Sequence, residues 1–160
     1  MGMVNYRAAV EADVGGMARI RAEYWETEEF WRVRIANYLA GEAFPQQALR
    51  ERVVYVAVDG ETVVGFIAGH RTRRYGCDGE LEWIDVIAER RGSGVAGELL
   101  RRLAEWFVER KAQRVCVDVD PANVVARRFY TRHGAETLNP HWLVWKDIRV
   151  VAEKEQGASN

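Results

Sequence analysis

The stretch of this 160-residue chain whose residue types could bind and react runs from Leu81 to Gly97, reading Leu81-Glu82-Trp83-Ile84-Asp85-Val86-Ile87-Ala88-Glu89-Arg90-Arg91-Gly92-Ser93-Gly94-Val95-Ala96-Gly97. An apolar strand-like run enters a turn of small residues, and the turn opens an amphipathic helical pattern. The first N–H groups of such a helix have no acceptor inside it, and the helix dipole adds partial positive charge there. Together they form an anion site. Gly92, Gly94 and Gly97 let the backbone approach a bulky anion closely, and Arg90 and Arg91 add formal charge. A diphosphate fits this chemistry, although the same turn would also serve simply to join a strand to a helix. A P-loop is excluded, because no Gly-Lys-Ser/Thr is present, and the glycine spacing of a dinucleotide turn is incomplete.

A second group of residues could move protons. Glu80 and Glu82 are two apart, so strict strand alternation puts them on one face and Asp85 on the other. Asp118 ends the next apolar run, and Tyr130 lies in a helical pattern that starts near Asn123. Each has a structural reading too: solvated edge carboxylates, a core tyrosine, and Asn123 as a helix cap. Between Glu23 and Trp31, four carboxylates interleave with Tyr24, Trp25, Phe30 and Trp31. Such a wall suits a cationic amine through ion pairing and cation–π contact. It equally suits aromatics entering a core with acids at a helix start. Trp142 and Trp145 could line the same cleft or a dimer contact. His70, His133 and His141 are scattered and form no triad or metal pattern.

The elements that must position these residues follow from periodicity and punctuation. Val4 to Val10 reads as a short strand. Asp13 is placed to cap a helix from Val14 to about Trp25, and a second helix runs from Glu28 to Leu39 with Gly41 as its stop. Phe44 to Arg52 reads as a loop with a short helical turn. Val53–Val58 and Thr62–Gly69 flank Asp59-Gly60, a hairpin signal. Leu81–Ile87 is a strand, and a helix runs from Gly97 to about Lys111. Arg114–Asp118 is a strand and Asn123–His133 a helix ended by Gly134. Strands near Ala135–Leu138 and Leu143–Val151 complete the order β-α-α-β-β-β-α-β-α-β-β. That order is an α/β (α+β) fold with a mixed sheet and one central strand–helix–strand crossover. Residues 1–151 read as a single domain, and residues 152–160 as a flexible C-terminal tail.

Two segments carry a family resemblance. Arg91-Gly92-Ser93-Gly94-Val95-Ala96 resembles Arg/Gln-x-x-Gly-x-Gly/Ala, the acetyl-CoA signature of the GNAT family of N-acetyltransferases. Asn123-Val124-Val125-Ala126-Arg127-Arg128-Phe129-Tyr130-Thr131-Arg132-His133-Gly134-Ala135 resembles that family's Asn-x-x-Ala-x-x-Phe-Tyr-x-x-x-Gly-Phe, with Ala135 in place of the last Phe. The element order is similar over Val4 to Val151. The resemblance implies a GNAT-like mixed twisted sheet flanked by helices, with acetyl-CoA as cosubstrate. It implies that the backbone of Arg91, Gly92, Ser93, Gly94, Val95, Ala96 and Gly97 holds the CoA diphosphate. The main chain of Val86 and Ile87 would pair with pantetheine, and Asn123 and Tyr130 would also bond to CoA. Tyr130 looks like the acid that protonates the departing thiolate. Glu82, Asp118 or Glu80 would be the base that frees an amine for direct attack in a ternary complex. The acceptor is expected to be a small or peptidyl primary amine. A non-catalytic acyl-CoA-binding sensor of the same fold is the alternative.

Composition narrows the remaining classes. Lys plus Arg is 23 against 24 for Asp plus Glu, so the near-neutral chain gives no global attraction to nucleic acid or an acidic membrane. No run reaches the ~18 apolar residues of a membrane span. The N-terminus meets Arg7, Glu11 and Asp13 too early for a signal-peptide core. Cys77 and Cys116 lack metal spacing and read as reduced thiols. These features lead to the expectation of a cytoplasmic enzyme, with a homodimer possible.

Overall fold

The computed structural model describes residues 3–42, 45 and 47–158. One seven-stranded sheet is formed by β1 (Val4–Ala8), β2 (Ala48–Asp59), β3 (Thr62–Thr72), β4 (Gly79–Val86), β5 (Val115–Asp118), β6 (Glu136–Asn139) and β7 (Trp142–Trp145). Its order is β1-β2-β3-β4-β5-β7-β6. Only β4 and β5 pair in parallel; every other neighbour is antiparallel. The parallel step requires a crossover, supplied by α3 (Val95–Glu109). The other helices are α1 (Val14–Ala22), α2 (Glu28–Ala40), α4 (Val124–Arg132) and α5 (Arg149–Ala158).

Two apolar layers sandwich the sheet. On one face Leu99, Leu103 and Phe107 of α3 meet Ile67, Leu81 and Val86. On the other, Met17 and Ile20 of α1 and Trp31, Ile35 and Tyr38 of α2 meet Phe66, Ala68 and Trp83. The period of α3 explains its place: residues 95, 99, 103, 106 and 107 recur on one helical face, and all are buried. Thr27 caps α2 by accepting from Phe30 N–H at 3.0 Å, and Gly41 ends it with φ +78°.

Several expectations change. Asp13 stands at the start of α1 but does not cap it. Its carboxylate turns back to accept from Arg7 Nη1 and Nη2 at 2.7 and 3.0 Å and from Val10 N–H at 2.8 Å, locking the β1–α1 turn. α1 stops at Ala22, leaving Tyr24 and Trp25 exposed. Of the stretch 44–52 read as a loop, residues 48–52 open β2, while Phe44 and Gln46 lie outside the described residues. The last strand ends at Trp145 instead of Val151, and residues 149–158 form α5 where a strand end and a frayed tail were expected. Asp147 causes this switch by accepting from the N–H of Arg149 at 3.1 Å, and buried Ile148 and Val151 anchor the helix to the α3 side.

Candidate active site

Register makes the site. β3 and β4 pair Ala68 with Trp83 and Gly69 with Leu81, so Glu82 has no partner and forms a bulge. A bulge reverses alternation: Leu81 packs on the α3 side and Trp83 on the α1–α2 side. Past the bulge Asp85 also faces α1, where it accepts from Arg21 Nη1 at 2.9 Å. The expectation that Asp85 points away from Glu82 is therefore corrected. The signal was present in the sequence: Trp83-Ile84 is an apolar pair that breaks the alternation of Glu80-Leu81-Glu82, and Asp85-Val86 resumes it out of phase.

β4 pairs with β3 to its end but with β5 only from Gly79 to Leu81, opposite Val115 to Val117. Beyond Leu81 the β5-facing edge of β4 has no strand partner among the described residues. Ile87 N–H donates to Val64 O on the β3 side at 2.9 Å. Alternation then turns the N–H and C=O of Val86 toward the open edge. This edge can accept an extended chain as an added strand.

At the end of this edge the backbone passes through Gly92 and Gly94, with φ of +77° and +92°, into α3. Neither would meet a neighbour within 4 Å if given a Cβ, so conformation and not space requires glycine here. The first helical bond runs from Glu98 N–H to Gly94 O at 3.0 Å. The preceding amides of Val95, Ala96 and Gly97 have no acceptor within the helix. Arg90 is tied to Asp59, and Ser93 Oγ to Arg90 O. Arg91 is exposed, bonds to Tyr24 Oη and lies 5.7 Å over that ring, so it is the arginine available at the turn. These free amides and Arg91 fit an anionic diphosphate.

Glu82 lines a cavity of about 640 Å³ with Glu29, Phe30, Arg34, Tyr38 and Trp83. Its side chain is 18% exposed. Burial raises its pKa, and His70, Arg34 and Arg21 oppose that rise while Glu80 adds to it. Glu80 is held away from the cavity by Arg74 Nε at 3.2 Å. Asp118 is exposed at the end of β5, and its pKa is raised by partial burial against the pull of His141. Tyr130 is buried edge-on to Trp145. Burial, reinforced by the charges of Asp85 and Asp118 against that of Arg21, holds its hydroxyl well above the ordinary tyrosine value. Asn123 caps α4 by accepting from Ala126 N–H at 3.1 Å.

The aromatic–acidic stretch contributes less than its composition suggests. Only Glu29 and Phe30 reach the cavity lining. Trp31 is buried edge-on to Trp83 at 6.0 Å, and Glu28 faces Arg19 at 3.8 Å. Trp145 is a core residue donating from Nε1 to His133 O, and Trp142 packs with Cys77, Cys116 and Tyr75, so neither lines the cleft. Both cysteines are free and buried. Sequence reasoning missed Arg21, Tyr38 and His70 because helix and strand periodicity marks them only as inward-facing.

No curated protein matches the sequence. Among solved structures, an aminoglycoside 6'-N-acetyltransferase of Acinetobacter haemolyticus is 20% identical, with 84% of this chain and 92% of that chain covered and a TM-score of 0.71. The PaiA N-acetyltransferase of Thermoplasma acidophilum, in complex with coenzyme A, is 14% identical over 91% and 99%, with a TM-score of 0.68. A GNAT family acetyltransferase of Brucella melitensis, in complex with acetyl-CoA, is 18% identical over 90% and 88%, with a TM-score of 0.62. At these identities the likeness is one of fold. The acetyltransferase (GNAT) family itself matches residues 16–135, three quarters of the sequence and all of the site from Arg21 to Tyr130. The chain belongs to the acetyltransferase (GNAT) family, whose acetyl donor is acetyl-CoA.

Proposed function

We propose that this protein transfers an acetyl group from acetyl-CoA to a primary amine by direct attack in a ternary complex. The observation that carries this reading is the bulge at Glu82, which projects a buried carboxylate into a cavity where the edge of β4 becomes open. The backbone from Arg91 to Gly97 would hold the diphosphate, and Val86 and Ile87 would flank the pantetheine arm. Asn123 is engaged as a helix cap, which leaves its amide group as a further donor. When bound, acetyl-CoA supplies a thioester carbonyl carbon open to nucleophilic attack.

An ammonium group has no lone pair, so a base must act first. Glu82 takes that proton at its carboxylate, and a pKa raised by burial brings it closer to the working pH, where a base is most effective. Tyr130 keeps its proton at Oη through the neutral range and can give it to the departing sulfur. Asp85 and Arg21 tie β4 to α1 beyond Glu82 through their 2.9 Å pair. Asp118, exposed at the end of β5, is the second candidate for the base. Glu29 and Glu82 supply negative charge, and Phe30, Tyr38 and Trp83 supply ring faces, for a cationic acceptor.

The test is release of free CoA from acetyl-CoA in the presence of polyamines, aminoglycosides, amino acids and peptide amines, with the product identified by mass. Amine-dependent release is the expected result. Tight acetyl-CoA binding with no release for any amine would replace this reading with that of an acyl-CoA sensor.

A further inference from the structure

Behind Glu82 lies a polar cluster that neither acetyl-CoA binding nor the direct chemistry uses. His70, on β3, is fully buried. Its Nδ1 is 3.0 Å from Tyr38 Oη and 4.0 Å from Glu82 Oε1. Its Nε2 is 3.5 Å from Glu80 Oε1 and makes no hydrogen bond of good geometry among the described residues. Glu80 is itself buried and faces Arg74 Nε at 3.2 Å. A buried imidazole bracketed by two carboxylates, with a phenol on one nitrogen, is expensive unless the group is used or compensated. The three residues are close enough to suggest a metal site. However, the two carboxylates approach opposite nitrogens of the ring, and Arg74 already neutralises Glu80. That geometry holds a proton better than a divalent ion.

We propose that His70 is a positioning residue: it carries a second ring proton between Glu80 and Glu82 and thereby keeps the Glu82 carboxylate ionised at the wall of the acceptor cavity. In this state Nδ1–H donates to Tyr38 Oη, which lines the same cavity, and Nε2–H faces Glu80. The charges around Glu82 come from His70 on β3, Glu80 on β4, Arg34 on α2 and Arg21 on α1, with Tyr38 beside them; Arg52 on β2, the cross-strand partner of His70, lies 4.8 Å over the Tyr38 ring. His70 is the only one of these cations that is fully buried, so water screens its field least. The inference rests on the reading of Glu82 as the base.

The experiment has two arms. In the first, kcat/KM is followed against pH for the wild type and for His70→Gln, which keeps a polar side chain but cannot carry charge. The acid limb should move to higher pH by about one unit, with KM for acetyl-CoA unchanged. His70→Ala should show the same shift and a lower melting temperature. An unmoved acid limb, or a uniform loss of rate at all pH values, overturns the proposal. The second arm needs no turnover and no His70 variant: the ring ¹⁵N signals of His70 are followed through the neutral range in the wild type and in Glu82→Gln. Because coupling is reciprocal, His70 should give up its second proton at lower pH in Glu82→Gln. A ring that is neutral throughout in the wild type, or one indifferent to Glu82→Gln, overturns the proposal. If no amine is acetylated but the ring responds to Glu82, the His70–Glu82 coupling stands and the acetyl-transfer reading fails.

Discussion

Glu82→Gln should make the protein more stable while disabling it. The side chain is 18% exposed, and burial is the largest influence on its ionisation, outweighing the opposing charges of His70, Arg34 and Arg21. The folded protein therefore binds the Glu82 proton more tightly than the unfolded chain does. Below the ordinary glutamate value of about 4.3 the group is neutral in both states and imposes no penalty. As pH rises from there to the raised folded value, stability falls, and above that value the penalty is constant. Each unit of pKa difference corresponds to about 1.4 kcal/mol. For a chain of this size each ~1 kcal/mol moves the melting temperature by about 2–4 °C. The amide introduced by Glu82→Gln mimics the neutral acid, so it removes the penalty. Thermal unfolding of both proteins over a pH series is the assay, with acetyl-transfer rates on the same samples. The variant should melt a few degrees higher at mildly alkaline pH, with the gap closing under acid, and turnover should fall by about 10²–10⁴-fold. A variant that is less stable at alkaline pH would refute the reasoning, since it would mean that the carboxylate is held by net attraction. A stable variant with full turnover would move the base to Asp118 or to water.

Three further outcomes follow from the same geometry. Tyr130→Phe removes only a buried hydroxyl, so acetyl transfer should drop by at least ~10²-fold while CoA affinity by calorimetry is unchanged; equal loss of both would indicate a packing role. Gly94→Ala puts a Cβ on a residue at φ +92° with open space around it, so the cost is backbone strain alone. That strain is about 1–2 kcal/mol, and titration calorimetry should show weaker acetyl-CoA binding together with a slightly lower melting temperature. Asp85→Ala strands the guanidinium of Arg21, which stacks 4.4 Å over Trp31 and has no hydrogen-bond partner for its Nε among the described residues. Removing one partner of such a pair costs roughly 3 kcal/mol, and denaturant titration should show it; because burial raises the Asp85 pKa in spite of Arg21, the neutral isostere Asp85→Asn should recover most of the loss.

The cofactor side of the site was legible in the sequence because its determinants are local. Gly92 and Gly94 are demanded by positive φ within one turn, and the amphipathic period of residues 95–109 fixes where free amides begin. The order of elements was legible for the same reason, up to Trp145. The end was not: Leu143 to Val151 alternates well enough to read as a strand, and the tertiary contacts of Ile148 and Val151 with α3 override that pattern. The acceptor side was only partly legible because it is assembled from distant residues. Tyr38 and His70 are 32 positions apart and meet only where α2 packs against β3 of the sheet. The aromatic–acidic run from Glu23 to Trp31 drew attention by composition, yet its buried ring, Trp31, serves as packing against Trp83. Composition marks which residues are available, and register decides which of them face one another.

The bulge shows how much one residue of register controls. Without it, alternation would carry Trp83 to the same face as Leu81, beneath α3, and would take Asp85 away from Arg21. The α1–α2 layer would lose the ring that Trp31 and Tyr38 pack on, at 6.0 and 5.1 Å, and Arg21 would be left without its carboxylate. With it, Glu80, Glu82, Trp83 and Asp85 all face the α1–α2 side, while Leu81, Ile84 and Val86 remain beneath α3. Three carboxylates crowded on one face would repel, and positive charge offsets each of them: Arg74 for Glu80, Arg21 for Asp85, and the shared field of His70, Arg34 and Arg21 for Glu82. Glu80 and Asp85 are held by arginines at 3.2 and 2.9 Å. Glu82 has no such arginine contact among the described residues, with His70 Nδ1 at 4.0 Å, and it is also the one that faces the cavity. A carboxylate that is buried and surrounded by positive charge, yet not locked in a close ion pair, has the properties of a base that must exchange its proton in every cycle.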